Sequence, residues 1–203
     1  MSSRNRKIKK ENIVFYDMET TGLDASTNGT VQIAMLFEKD GEIVDTYVSN
    51  IDCSQYLRDV AISEKAMEIN GYKVSDIPTF PSPQIVVDEI ARKLYKVYGK
   101  GKVKLCGFNN TSFDKFFLKE LYAQTTKEMD KYFHYKQLDV FEVLKGLQYL
   151  QLIEKTWNQR LVTYIEHFKL ADVDEIESNA HDALWDIHMT RELMLRIPSI
   201  IGK

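Results

Sequence analysis

Apolar runs of strand length open this chain, and helical periodicity takes over further along. Ile13-Val14-Phe15-Tyr16 leads into Asp17-Met18-Glu19, which predicts a strand from Ile13 to Glu19. Two more β-rich stretches, Thr30 to Glu38 and Glu42 to Val48, flank Lys39-Asp40-Gly41. An Asp-Gly turn between such runs predicts a hairpin, so this edge of the sheet should be antiparallel. Ser63 to Asn70, followed by Gly71, predicts a short helix with a glycine stop. Beyond Pro78, Pro81 and Pro83, the residues Val86, Ile90, Leu94 and Val97 recur near helical spacing until Gly99 and Gly101 close the helix. Lys102 to Cys106 reads as a fourth strand, leading through Gly107 to Thr111 into a helix that starts near Ser112. Three further helices are predicted over about Asp139 to Leu150, Thr156 to Leu170 and Asn179 to Arg196. Strands first, then strands alternating with helices, give an α/β class: a mixed β-sheet flanked by α-helices.

Composition makes this one domain. The 203 residues are 44% apolar, enough for a sizeable core, and no Pro-, Gly- or Ser-rich linker divides them. The expected domain runs over residues 12–203. Ahead of it, Arg4-Asn5-Arg6-Lys7-Ile8-Lys9-Lys10 reads residues 1–11 as a basic, flexible, solubilising tail. A net charge of −3 excludes a general polyanion binder, so any nucleic-acid contact must be local. Cys53 and Cys106 are the only cysteines and read as free thiols, which predicts a reducing, cytoplasmic setting. No apolar run is long enough to cross a bilayer, and the N-terminus lacks the apolar core of a signal peptide, so no membrane partner is expected.

Acidic residues then change the picture. Side chains alternate along a strand, so Asp17 and Glu19 share a face. Burying two such acids is expensive unless cations hold them; a solvated strand end feeding a turn is the bland alternative. Asp114 stands where a strand end turns into a helix, at the close of Gly107-Phe108-Asn109-Asn110-Thr111-Ser112-Phe113-Asp114, although acids also favour a first helical turn through the macrodipole. Asn179-Ala180-His181-Asp182-Ala183-Leu184-Trp185-Asp186 opens the last long helix. On a regular helix His181 and Asp186 would diverge, so a shared target requires His181 on the preceding loop and Asp186 reaching inward. Asp182 shares a face with Asp186; it reads as a cap or supporting group, and spacing alone does not exclude it as a ligand. Asp17, Glu19, Asp114 and Asp186 thus supply four carboxylates, and His181 a titratable base. Hard oxygen ligands in that number suit two divalent cations, Mg²⁺ or Mn²⁺, rather than zinc. Two such cations about 4 Å apart can stabilise both the attacking and the leaving oxygen of a phosphoryl displacement.

The series D-x-E, N-x-x-x-F-D and H-D-A-x-x-D, at Asp17, Asn109 and His181, resembles the DEDDh (DnaQ-like) exonucleases, the superfamily of the epsilon proofreading subunit of bacterial DNA polymerase. Ser63 to Gly71 is similar to that family's short helix before the second motif, and Leu138-Asp139-Val140 to its later Leu-Asp-Val segment. The resemblance implies a ribonuclease-H-like fold and a 3′-to-5′ exonuclease that releases nucleoside 5′-monophosphates. It implies that Asp17 bridges both metals and that Glu19 and Asp186 bind the one that orients the attacking water. Asp114 would act through water-mediated contacts, and His181 as the general base, a role its ordinary pKa suits. A tyrosine subfamily would place its base where this chain has Asp182, so the histidine branch fits better.

Substrate contacts follow from the same resemblance. Thr20 and Thr21 would offer backbone N–H groups to the terminal nucleotide, Leu23 an apolar wedge against the last base, and Asn109 a contact to the substrate backbone. Turn chemistry for Thr20-Thr21-Gly22 and a core position for Leu23 are the plain alternatives. Phe113, Phe116, Phe117 and Trp185 read as core. The expected partner is a nucleic acid 3′ end, with single-stranded DNA preferred because a duplex end must fray before its phosphodiester can reach paired metals. An RNA-trimming exoribonuclease, or a nucleic-acid-binding, polymerase-associated module with little activity, are the competing readings. A second copy of the chain or a polymerase subunit are the protein partners that the resemblance admits.

Overall fold

A computed structural model of the chain describes residues 11–57, 62–156, 158–179 and 182–201. The basic stretch at residues 1–10 and His181 lie outside them. Strands β1 (Ile13–Thr20), β2 (Thr30–Lys39) and β3 (Glu42–Asn50) come first, followed by helices α1 (Glu64–Asn70) and α2 (Pro83–Tyr98). Then come β4 (Lys104–Gly107), α3 (Asp114–Ala123), β5 (Leu138–Asp139), α4 (Val140–Tyr149), α5 (Leu161–Phe168), α6 (Val173–Asn179) and α7 (Ala183–Ile201).

The sheet order is β3-β2-β1-β4-β5. β1, β2 and β3 pair antiparallel, while β4 runs parallel to both β1 and β5, so the sheet is mixed as expected. At the β2–β3 turn Asp40 and Gly41 take φ of 55° and 94°, the doubly left-handed geometry that lets a two-residue hairpin follow the strand twist.

Alternation along β1 divides the interior. Val14, Tyr16 and Met18 face a core built with Val86, Val87, Ile90 and Leu94 of α2 and with Phe117, Leu118 and Leu121 of α3. Phe15 faces the opposite way, into a second core with Val140 and Leu144 of α4, Tyr164 of α5, and Ile187 and Leu193 of α7. Asp17 and Glu19 continue the Phe15 face and therefore point toward α7. α7 is locked to the sheet by Arg191, whose Nε donates to Glu38 Oε2 at 2.7 Å and whose terminal nitrogen donates to the Gly41 carbonyl at 2.9 Å. Both side chains of that pair are nearly buried.

Three elements depart from the sequence pattern. The last helix starts at Ala183, because Asn179 ends the separate helix α6. α6 buries only Ile176 in an otherwise polar segment, so it carries no apolar period that could announce it. α5 begins at Leu161 rather than Thr156; the Asn158 side chain accepts from the Arg160 N–H at 3.0 Å and forms a turn ahead of the helix. β5 is two residues long, too short to read as a strand.

Candidate active site

β4 ends early beside β1. Their last paired residues are Phe15 and Cys106, so β1 overhangs its neighbour from Tyr16 onward. Asp114, at the first position of α3, reaches into that gap and takes the Met18 N–H on Oδ1 at 3.1 Å. Close approach is possible because residue 107 is glycine: a Cβ there would lie 2.9 Å from the Tyr16 carbonyl and 2.7 Å from Asn110 Cβ.

Asp186, in the first turn of α7, meets the two acids of β1. One carboxylate oxygen from each of Asp17, Glu19 and Asp186 lies within 4.8 Å of the others. Asp182 caps the helix that delivers Asp186, accepting from the Trp185 N–H at 2.9 Å, and its carbonyl takes the Asp186 N–H at 2.9 Å.

Acids this close and this poorly hydrated hold their protons. Burial pushes the Asp17 carboxyl up to about 7. Burial, then the charges of Asp17 and Asp182, push Glu19 up to about 8. Asp114 is driven well above the carboxylate range by burial first and then by Asp17. Among the described residues no Lys or Arg pairs with Asp17, Glu19 or Asp114. The arrangement is a pocket of hard oxygens whose ionisation calls for an external cation.

Another acid shapes the approach to Asp114. Asp139, at the end of β5, accepts from the Asn109 N–H at 2.9 Å, the Thr111 N–H at 3.0 Å, the Thr111 hydroxyl at 2.6 Å and the Phe141 N–H at 3.1 Å. It both caps α4 and pins the loop that carries Asn109 and leads to Asp114. Its place before a helix signals a cap; its grip on residues thirty positions earlier is tertiary and has no local signature. The pinned loop holds Asn109 at φ 60°, a conformation Asn tolerates better than most side chains.

The predicted substrate residues divide. Leu23 is 85% exposed, which removes the core alternative. Thr20 is buried and its hydroxyl donates to the Gly22 carbonyl at 2.7 Å, while the Thr21 N–H donates to the Gly29 carbonyl at 2.9 Å. The Thr21 amide is therefore spent within the turn rather than offered outward. Phe117 is core and Phe113 packs against it, but Phe116 is 51% exposed, contrary to the core expectation. Trp185 is partly buried, and its indole N–H has no partner among the described residues.

The sequence profile of the RNase T exonuclease family matches residues 14–194. Among curated protein sequences none matches significantly. The zinc-bound complex of Escherichia coli exonuclease I with single-stranded DNA superposes with a TM-score of 0.71 at 16% identity, covering 95% of this chain and 42% of that one. Exonuclease I from Methylocaldum szegediense gives a TM-score of 0.70 at 17% identity, over 95% of this chain and 42% of its own. This chain thus spans about two fifths of the length of these relatives, and the fold they share is ribonuclease-H-like. With the family profile covering nearly all of the sheet and its helices, the chain belongs to the RNase T exonuclease family.

Proposed function

We propose that this chain hydrolyses the terminal phosphodiester at the 3′ end of single-stranded DNA, releasing nucleoside 5′-monophosphates by a two-metal mechanism with Mg²⁺ or Mn²⁺. The observation that carries this reading is the convergence of Asp17, Glu19 and Asp186 within 4.8 Å. The donor set fits such ions: all ligands are carboxylate oxygens, and burial holds Asp17 up to about 7 and Glu19 up to about 8, so a divalent cation would be needed to keep both ionised at neutral pH. When bound, divalent cations supply charge neutralisation for the attacking and leaving oxygens.

The chain's own residues do the rest. Asp17, Glu19 and Asp186 would hold the cations. Asp114, fixed by the Met18 amide, acts through water-mediated contacts. His181 takes the proton of the attacking water. Leu23, exposed beside the cluster-bearing strand, packs against the last base, and Asn109 contacts the strand backbone. Preference for DNA is supported by solved relatives that hold single-stranded DNA, among them E. coli exonuclease I with a dA16 oligonucleotide.

The test is incubation of 5′-labelled single-stranded DNA and RNA with Mg²⁺, Mn²⁺ or EDTA. A one-nucleotide ladder on DNA that needs metal and disappears in Asp17→Ala is the expected result. A ladder on RNA alone overturns the substrate assignment, and two undegraded strands overturn the enzyme.

A further inference from the structure

We propose that the outer face of α3 is a track for the single strand on the 5′ side of the terminal nucleotide. The inference deepens the proposed function and rests on it for the identity of the ligand. Two hollows lie along this face. One, of about 330 Å³, is bordered by Leu23, Phe113, Phe116 and Lys119. The next, of about 670 Å³, is bordered by Phe116, Lys119, Tyr122 and Tyr135. Phe116 and Lys119 belong to both, so the hollows form one continuous surface running from Leu23, which follows the acid-bearing strand β1 in sequence, to Tyr135.

Three apolar or aromatic groups stand out of that surface. Leu23 is 85% exposed, Phe116 51% and Tyr135 72%. Tyr135 stacks its ring on that of His134, with centres 4.8 Å apart, and the Lys136 N–H donates to His134 Nδ1 at 3.1 Å. Lysines alternate with these groups. Lys115 and Lys119 are four residues apart and share a helix face, and the Lys136 ammonium lies 5.6 Å from the Tyr135 ring centre. Among the described residues none of these three lysines forms an ion pair, whereas neighbouring Lys127 and Lys131 are tied to Asp88 and Glu128. Exposed rings at intervals, interleaved with unpaired lysines, match the chemistry of single-stranded nucleic acid, in which bases stack and phosphates seek positive charge. Asp24, Glu120, Glu128 and Asp130 also border the hollows, so stacking rather than net charge is the main attraction.

The experiment measures KM for single-stranded DNA from a dinucleotide to a twelve-nucleotide strand, in wild type, in the double variant Phe116→Ala/Tyr135→Ala, and in Tyr149→Ala, which removes an exposed ring far along α4. Wild type and Tyr149→Ala should show KM falling as the strand lengthens. The double variant should lose that fall, with KM on the longest strand raised roughly 10-fold or more. A double variant that matches wild type at every length overturns the track, as does a wild type with no length dependence. Anisotropy of the same strands in EDTA separates the two proposals. Length-dependent binding that the double variant loses, without nucleotide release by wild type, upholds the track and sinks the nuclease; equal binding by both proteins sinks the track whatever happens to hydrolysis.

Discussion

The backbone N–H of Met18 donates to Asp114 Oδ1 at 3.1 Å, so one acid of the cluster is fastened to the main chain of the strand that carries two others. Asp114 consequently has a structural task besides its proposed chemical one. Asp114→Asn keeps an acceptor for that N–H, whereas Asp114→Ala leaves it orphaned at a cost of about 1–3 kcal/mol. In urea unfolding the Asn variant should exceed the Ala variant by that margin, while both lose roughly 10- to 100-fold in nucleotide release. Equal stabilities would remove the structural task.

The pH dependence of the metal-free protein should run against the usual direction for carboxylates. Asp17 and Glu19 titrate at about 7 and about 8 in the folded chain, above the roughly 4 of an unfolded one. The folded state therefore holds their protons more tightly, and their contribution to stability is present below about pH 4 and lost as pH rises through 7 to 8. In EDTA, the melting temperature of wild type relative to Asp17→Asn should fall across that window. Added Mg²⁺ or Mn²⁺ should restore more of it at the alkaline end, where fewer protons compete. Calorimetry at several pH values checks both; a gap that stays flat with pH refutes the assignment.

Arg191 and Glu38 form a nearly buried pair that seats α7 on β2. Removing one partner strands the other's charge, so Arg191→Ala should cost about 3 kcal/mol or more in denaturant unfolding. Arg191→Met with Glu38→Gln should recover much of it. Because α7 delivers Asp186, the single variant should also need more metal for half-maximal nuclease rate. A single variant as stable as wild type would show the pair to be ornamental.

His181→Ala tests the proposed base. Turnover should fall by roughly 10² to 10⁴ while calorimetric metal affinity holds. Collapse of metal affinity instead would make His181 a ligand.

Legibility in the sequence followed the range of the forces involved. β1 to β3, the Asp-Gly turn and α2 are governed by alternation, turn chemistry and period, all readable within a dozen residues. Asp17, Glu19 and Asp186 are legible because motif spacing fixes which strand face and which helical turn they occupy, and the structure brings the three together. What stayed hidden depends on partners distant in sequence. Asp139 looks like a helix cap and gives no sign that it grips Asn109 and Thr111. Phe116 has the composition of a core residue, and only the packed position of α3 turns it outward. α6 has one buried side chain and no rhythm to announce it.

The meeting of β1 with the start of α7 has a consequence for how the protein comes apart. A cation held by Glu19 and Asp186 would close a loop containing most of the chain, as a clasp joins two ends of a bracelet. Such a cation would bind only while both ends are seated, so by mass action each added increment of free cation would favour the state in which the last helix stays docked on the first strand.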